Sequence, residues 1–249
     1  MSGEAGSRSS IELPGMQADL IKEIYKTGKP VVLVLMNGRP LAIPWEEGHI
    51  QSIVEAWFLG TEAGNAIADI LFGDYNPSGK LVVSFPYCTG QIPVYYNHKI
   101  TGRPEDKNDR FTSKYLDAPT DPLFPFGFGL SYTTFNYSGL KLSSNKLTRG
   151  DTLHVSVRLT NSGNFNGDEV VQLYISDRYG SVTRPVKELK GFKKVFLKIG
   201  ETAEVRFEIT EDMLSFYDSN MNRRAEPGEF TVMVGGSSVS YLEKSFTME

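Results

Sequence analysis

Lys29-Pro30-Val31-Val32-Leu33-Val34-Leu35-Met36-Asn37-Gly38-Arg39-Pro40-Leu41 decides how the first part of this chain folds. From Val31 to Met36 six apolar residues, half of them valine, follow one another without a polar interruption. A half-exposed strand would alternate. A short unbroken run bounded by Pro30 and by Asn37-Gly38 predicts a strand buried on both faces. Such strands belong to mostly parallel sheets covered by helices, so the first third of the chain is expected to be α/β. Ligands of those sheets collect beyond the carboxyl ends of the strands, here near Asn37, Gly38 and Arg39.

Working outward, Met16, Leu20, Ile21, Ile24 and Tyr25 follow Pro14 in one apolar stripe and predict a helix of about three turns. Gly28 stands where a left-handed C-cap belongs, and Pro30 blocks continuation. On the other side, Pro40, Pro44 and Gly48 keep the chain irregular until Ile53–Phe58, a second expected strand. A helix then opens at Gly60–Gly64 and closes at Gly73, and Leu81–Phe85 reads as a third strand after the Asn76-Pro77-Ser78-Gly79 turn. From Pro86 to Leu130 no period survives, yet Tyr95, Tyr96, Phe111, Tyr115, Phe124, Phe126 and Phe128 recur. Loops of that length are uncommon in compact domains, and the aromatics predict a connector pinned across a domain surface.

After Ser131 the period becomes two. Leu153, Val155, Val157 and Leu159 alternate with polar residues, as do Val171, Leu173 and Ile175, then Val205, Phe207 and Ile209, and finally Phe230, Val232 and Val234. The turns Asn161-Ser162-Gly163, Ile199-Gly200-Glu201 and Glu226-Pro227-Gly228-Glu229 space these for an antiparallel sandwich of about seven strands, immunoglobulin-like or fibronectin type III-like. The expected fold is therefore α/β followed by all-β: a partial α/β/α sandwich with a mostly parallel sheet, then an antiparallel fibronectin type III-like β-sandwich. Residues 1–90 are assigned to the first domain, 91–130 to the connector and 131–249 to the sandwich.

The totals exclude several classes. A charge of −4, from 26 basic and 30 acidic residues, offers neither a nucleic acid nor an anionic membrane the field it would need. No apolar run approaches the roughly 18 residues of a membrane span. A single cysteine, Cys88, excludes an internal disulfide and a cysteine-based zinc site. His49, His98 and His154 show no ligand spacing, so no metal and no cofactor is expected. Gly73–Lys80 is no phosphate loop, because five residues separate its glycines and Leu81 follows the lysine. Met1–Arg8 has no apolar core and is not a signal peptide.

Several long motifs in one order are similar to glycoside hydrolase family 3, particularly its periplasmic β-glucosidase-like branch. They are Ser2-Gly3-Glu4-Ala5 with Ser7-Arg8-Ser9, Gly28–Leu41, Gly73–Leu81 with Ser84-Phe85-Pro86, Gln91–Tyr96, Pro125–Thr133 and Leu189–Phe192. The resemblance covers essentially the whole chain. It implies an architecture of a (β/α)8 barrel, an α/β sandwich and a fibronectin-like domain, of which this chain holds the tail: half of the sandwich, the connector and the last domain. The barrel, and the Asp-Trp segment carrying the nucleophilic aspartate, are absent, and Met1 falls inside a motif that has sequence before it. The implied substrate is a β-linked oligosaccharide or glucoside, the implied partner the N-terminal barrel, and the implied location periplasmic or secreted.

Retaining glycosidases need two carboxyl groups about 5 to 5.5 Å apart, one nucleophilic and one acid/base. On its own, a glutamate four residues from a terminus reads as a solvated side chain. The resemblance makes Glu4 the acid/base, on a Ser-Gly-Glu loop reaching over the barrel mouth. Arg8 is open between an ion pair with a loop carboxylate, Glu4 included, and a plain surface role. Arg39 is expected to tie the loop down. Trp57 is either a sugar-stacking platform or, the preferred reading, part of the sheet core, while Glu62 and Asp69 are expected to be solvated on a helix. The rival reading of the whole chain is a non-catalytic carbohydrate- or protein-binding module.

Overall fold

The computed structural model describes residues 4–106 and 108–249. The chain divides into two compact units: one takes the chain up to Tyr75 with Val83–Val94 and Lys114–Pro125, the other Asn76–Val82, Tyr95–Ser113 and Phe126–Glu249. The expected connector is thus shared out between the two units.

In the first unit, α1 (Gln17–Tyr25) is capped by Lys26, two residues ahead of the expected C-cap Gly28, which is left-handed at φ 68°. It feeds β1 (Val32–Leu35), then α2 (Pro44–His49), β2 (Ser52–Glu55) and α3 (Ala63–Phe72), whose C-cap is Gly73 at φ 84°. The short helix α2 was not foreseen; Pro44 at its first position supplies the fixed φ that starts it. β1 and β2 pair in parallel from Val32↔Ser52 to Leu35↔Glu55. Their core is Leu35, Leu41 and Ile43, packed with Leu13, Leu33, Ile53, Leu123 and Phe124.

Two expectations fail here. β1 is not buried on both faces: Val32 is 47% and Met36 61% exposed, because the described residues give the sheet only two strands and cover one side of it. Nor is Leu81–Phe85 a strand. Phe85 makes a single bridge to Phe124, while Leu81 exchanges backbone bonds with Gly127 and Phe128. Only its two ends bond to the 124–128 stretch, where Pro125 has no N–H to give, so no ladder forms.

The second unit is two sheets face to face. β3 (Phe135–Leu142), β5 (Thr152–Asn161) and β8 (Thr202–Thr210) form one. β4 (Lys146–Leu147), β6 (Gly167–Asp177), β7 (Glu188–Leu197), β11 (Gly228–Gly235) and β12 (Tyr241–Met248) form the other, in the order β4-β12-β11-β6-β7. A helical turn, α4 (Glu211–Leu214), and a small pair, β9 (Phe216–Tyr217) with β10 (Arg223–Arg224), complete it. Leu153, Val155, Val157 and Leu159 are at most 1% exposed, each contributing about 1.5–3 kcal/mol by burial.

Alternation does not hold on β6. Gln172 and Tyr174, which alternate with Val171, Leu173 and Ile175, are buried too, because connector aromatics cover them. Tyr96 stacks on Phe126 at 4.2 Å and meets Tyr174 edge-on, while Gln172 donates to the carbonyls of Gly127 and Gly236. Lys80, from the discarded phosphate-loop motif, serves in a shielded ion pair with Glu169 at 3.0 Å and also donates to Gly129 O.

Asn161 at the end of β5 is fully buried and satisfied. It accepts from Thr133 Oγ1 (2.6 Å) and donates to Phe165 O (2.8 Å) and Leu197 O (3.1 Å). Asn161→Ala strands two carbonyls, and we expect a loss of about 1–3 kcal/mol by urea denaturation. A change below about 0.5 kcal/mol would show that water replaces the amide.

Candidate active site

The register of the first unit builds this region. Pairing Leu35 with Glu55 sets the residues just past β1 beside the end of β2, at the carboxyl ends of both strands. Asn37 Nδ2 donates to Glu55 Oε2 (3.2 Å) and to its near neighbour's carbonyl, Arg39 O (2.8 Å). Glu55 Oε1 accepts from Trp57 N (3.0 Å). Burial raises the Glu55 pKa, opposed by the bonds from Trp57 N–H and Asn37.

The Phe58 ring lies against Gly38, where a Cβ would stand 2.5 Å from it. Trp57 takes φ 50°, and Phe58 is left 80% exposed. Trp57 lies beyond the end of β2, half-buried, with its ring edge-on to Phe85 at 5.9 Å.

Arg39 carries the turn's position to the opening loop. Its Nη1 donates to Ser7 Oγ (3.2 Å) and its Nη2 to Ser10 O (3.1 Å). The loop then joins the core through Ile11, 4% exposed, whose carbonyl accepts from Ala42 N (3.0 Å). Glu4 stands exposed in a turn ahead of this tethered segment, followed by Ala5 at φ 56°. Ser2 and Gly3 of the same motif lie outside the described residues.

The remaining candidates separate from this group. Arg8 donates to Glu12 O (3.4 Å) and makes no ion pair among the described residues. Glu62 accepts from Asn65 at the exposed start of α3, and Asp69 is solvated. His49 stacks on Trp45 at 4.3 Å, His98 lies near its neighbour's carbonyl, and His154 lies on the surface near Glu208. Among the described residues no three His, Cys, Asp or Glu side chains gather around a point that would suit a metal ion. The Asn37–Glu55 link escaped the sequence, because it exists only once β1 and β2 are in register.

What the geometry offers is a held segment that carries an exposed carboxylate, Glu4. A family model described as the glycosyl hydrolase family 3 C-terminal domain matches residues 1–132, and one described as a fibronectin type III-like domain matches residues 169–238. A periplasmic β-glucosidase of Salmonella typhimurium is 51% identical over 250 residues, covering 100% of this chain and 33% of the relative. A β-xylosidase of Formosa agariphila is 48% identical over 95% of this chain and 32% of its own length. Among solved structures, a mutant β-glucosidase from Listeria innocua in complex with laminaribiose matches with a TM-score of 0.94 at 46% identity, over 99% of this chain and 34% of that one. The chain spans about a third of the length of these relatives. With more than half its residues under the first of those family models, the chain belongs to glycoside hydrolase family 3.

Proposed function

We propose that this chain works as the C-terminal portion of a retaining, exo-acting β-glycosidase, with Glu4 as general acid/base and the nucleophile supplied by a barrel domain outside these 249 residues. The observation that carries the reading is the tethered loop: Arg39 fixes Ser7 and Ser10, and Glu4 projects from the same segment into solvent. The similarity to β-glucosidases and a β-xylosidase over essentially the full chain supports the substrate class, a β-linked glucoside or oligosaccharide. The relative's periplasmic description supports a periplasmic or secreted enzyme.

Exposed apolar surface supports a partner domain. Met16 just before α1, Leu20 and Ile24 on α1, Val32 on β1 and Phe72 on α3 are 43–84% exposed within the first unit. Large apolar side chains left in water at this density are what a covering domain would bury. In this reading residues 1–90 belong to the sandwich, 91–130 to the connector and 131–249 to the fibronectin-like domain.

Glu4 would protonate the departing glycosidic oxygen in the first step and take a proton from water in the second. Alone it has no nucleophile to work with. Purified 1–249 is therefore expected to give no turnover of an aryl β-glucoside above buffer, whereas co-expression with a family 3 barrel should restore it. Turnover by the isolated chain would overturn the reading. Glycan binding by the isolated chain, with barrel addition producing no turnover, would instead favour a non-catalytic binding module.

A further inference from the structure

The geometry points to Asn37, Arg39 and Glu55 as positioning residues that set where the Glu4 loop stands. This rests on the acid/base reading of Glu4 and goes beyond it. Glu4 is exposed and sits three residues before Ser7, the first residue the Arg39 guanidinium grips. Two contacts on one planar group, to Ser7 Oγ and Ser10 O, fix direction as well as distance, which a single lysine ammonium would not do.

The guanidinium is itself aimed by its backbone. Arg39 O is held by Asn37 Nδ2, and the same amide is held by Glu55 at the end of β2. Gly38 packs the turn under Phe58. The path is thus Glu55, Asn37, Arg39, then Ser7 and Ser10, every link within one unit and running from a strand end to the loop. A strand end is a rigid base, and a misplacement of about 1 Å at a reacting group can cost around 100-fold in rate. None of the three residues needs to touch substrate for this.

The test uses an effect that simple destabilisation does not produce. Protonation matters only when the leaving group is a poor one. In the barrel-containing enzyme, kcat/KM for a β-linked disaccharide and for the glucoside of a strongly acidic dinitrophenol are compared. Arg39→Ala should lower the first by about 10- to 100-fold and leave the second within about threefold. Arg39→Lys should recover only part of the loss, because it keeps the charge and loses the fork. Ser7→Ala, at an exposed position that does not threaten folding, should show the same selectivity at about 3- to 10-fold.

Glu4→Ala is measured alongside. If Glu4→Ala shows the leaving-group selectivity and the Arg39 and Ser7 variants lose rate equally on both substrates, or not at all, the positioning role is overturned while the acid/base reading stands. If Glu4→Ala lacks that selectivity, the acid/base reading itself falls.

Discussion

Glu4→Ala in the barrel-containing enzyme is expected to slow hydrolysis of a β-linked disaccharide by about 100- to 10,000-fold, the usual contribution of a positioned acid/base. That corresponds to about 3 to 5 kcal/mol of transition-state stabilisation. The loss has a signature. Without the acid, the sugar oxygen leaves as an alkoxide, so poor leaving groups suffer most. Without the base, water attacks the glycosyl intermediate slowly, and that step limits kcat even for good leaving groups. Azide needs no base: added azide should restore kcat for an activated aryl glucoside and yield a glycosyl azide of retained configuration. A variant that azide does not rescue, or that keeps full activity on the disaccharide, places the acid/base elsewhere.

The second large effect is structural. Phe230 on β11 and Phe246 on β12 are register partners, stacked at 5.5 Å, and are 1% and 2% exposed between the two sheets. Phe230→Ala removes a large side chain from a closed core and leaves its partner ring facing a void. We expect a loss of about 3–5 kcal/mol, against total stabilities of about 5–15 kcal/mol for a domain. Both tryptophans, Trp45 and Trp57, belong to the first unit, so their fluorescence reports that unit. The β-sheet circular dichroism follows mainly the second. The dichroism transition should therefore move to lower denaturant. A shift worth less than about 1 kcal/mol would mean the cavity is refilled by neighbours.

How far the sequence carried this structure depends on where each cause lies. The β-sandwich was legible because its cause is local: the alternation of Leu153–Leu159 needs only one covered face, and the structure covers it. β6 misled because its second cover, Tyr96 and Phe126, comes from distant parts of the chain. The reading of Val31–Met36 rested on a rule for sheets with helices on both sides, and Val32 and Met36 lack one of those sides among the described residues. Leu81–Phe85 had a strand's composition, but only its ends bond to the neighbouring 124–128 stretch.

At the candidate site, Glu4 was legible only through the motif it sits in. Arg39 was marked by its place after the strand, and the structure adds its two grips on the loop. Glu55 was not singled out at all. A glutamate at a strand end becomes informative only when the parallel register sets it against Asn37. A second strand ending in a carboxylate, one helix after an Asn-Gly-Arg turn, is the signal that could have found it.

The most direct measurement is the crystal structure of the barrel-containing enzyme with a covalently trapped 2-fluoroglycosyl intermediate. The account predicts the Glu4 carboxyl on the opposite side of the anomeric carbon from a barrel aspartate, with the two carboxyl groups about 5 to 5.5 Å apart. A different carboxylate in that position, with Glu4 out of reach of the glycosidic oxygen, would contradict it.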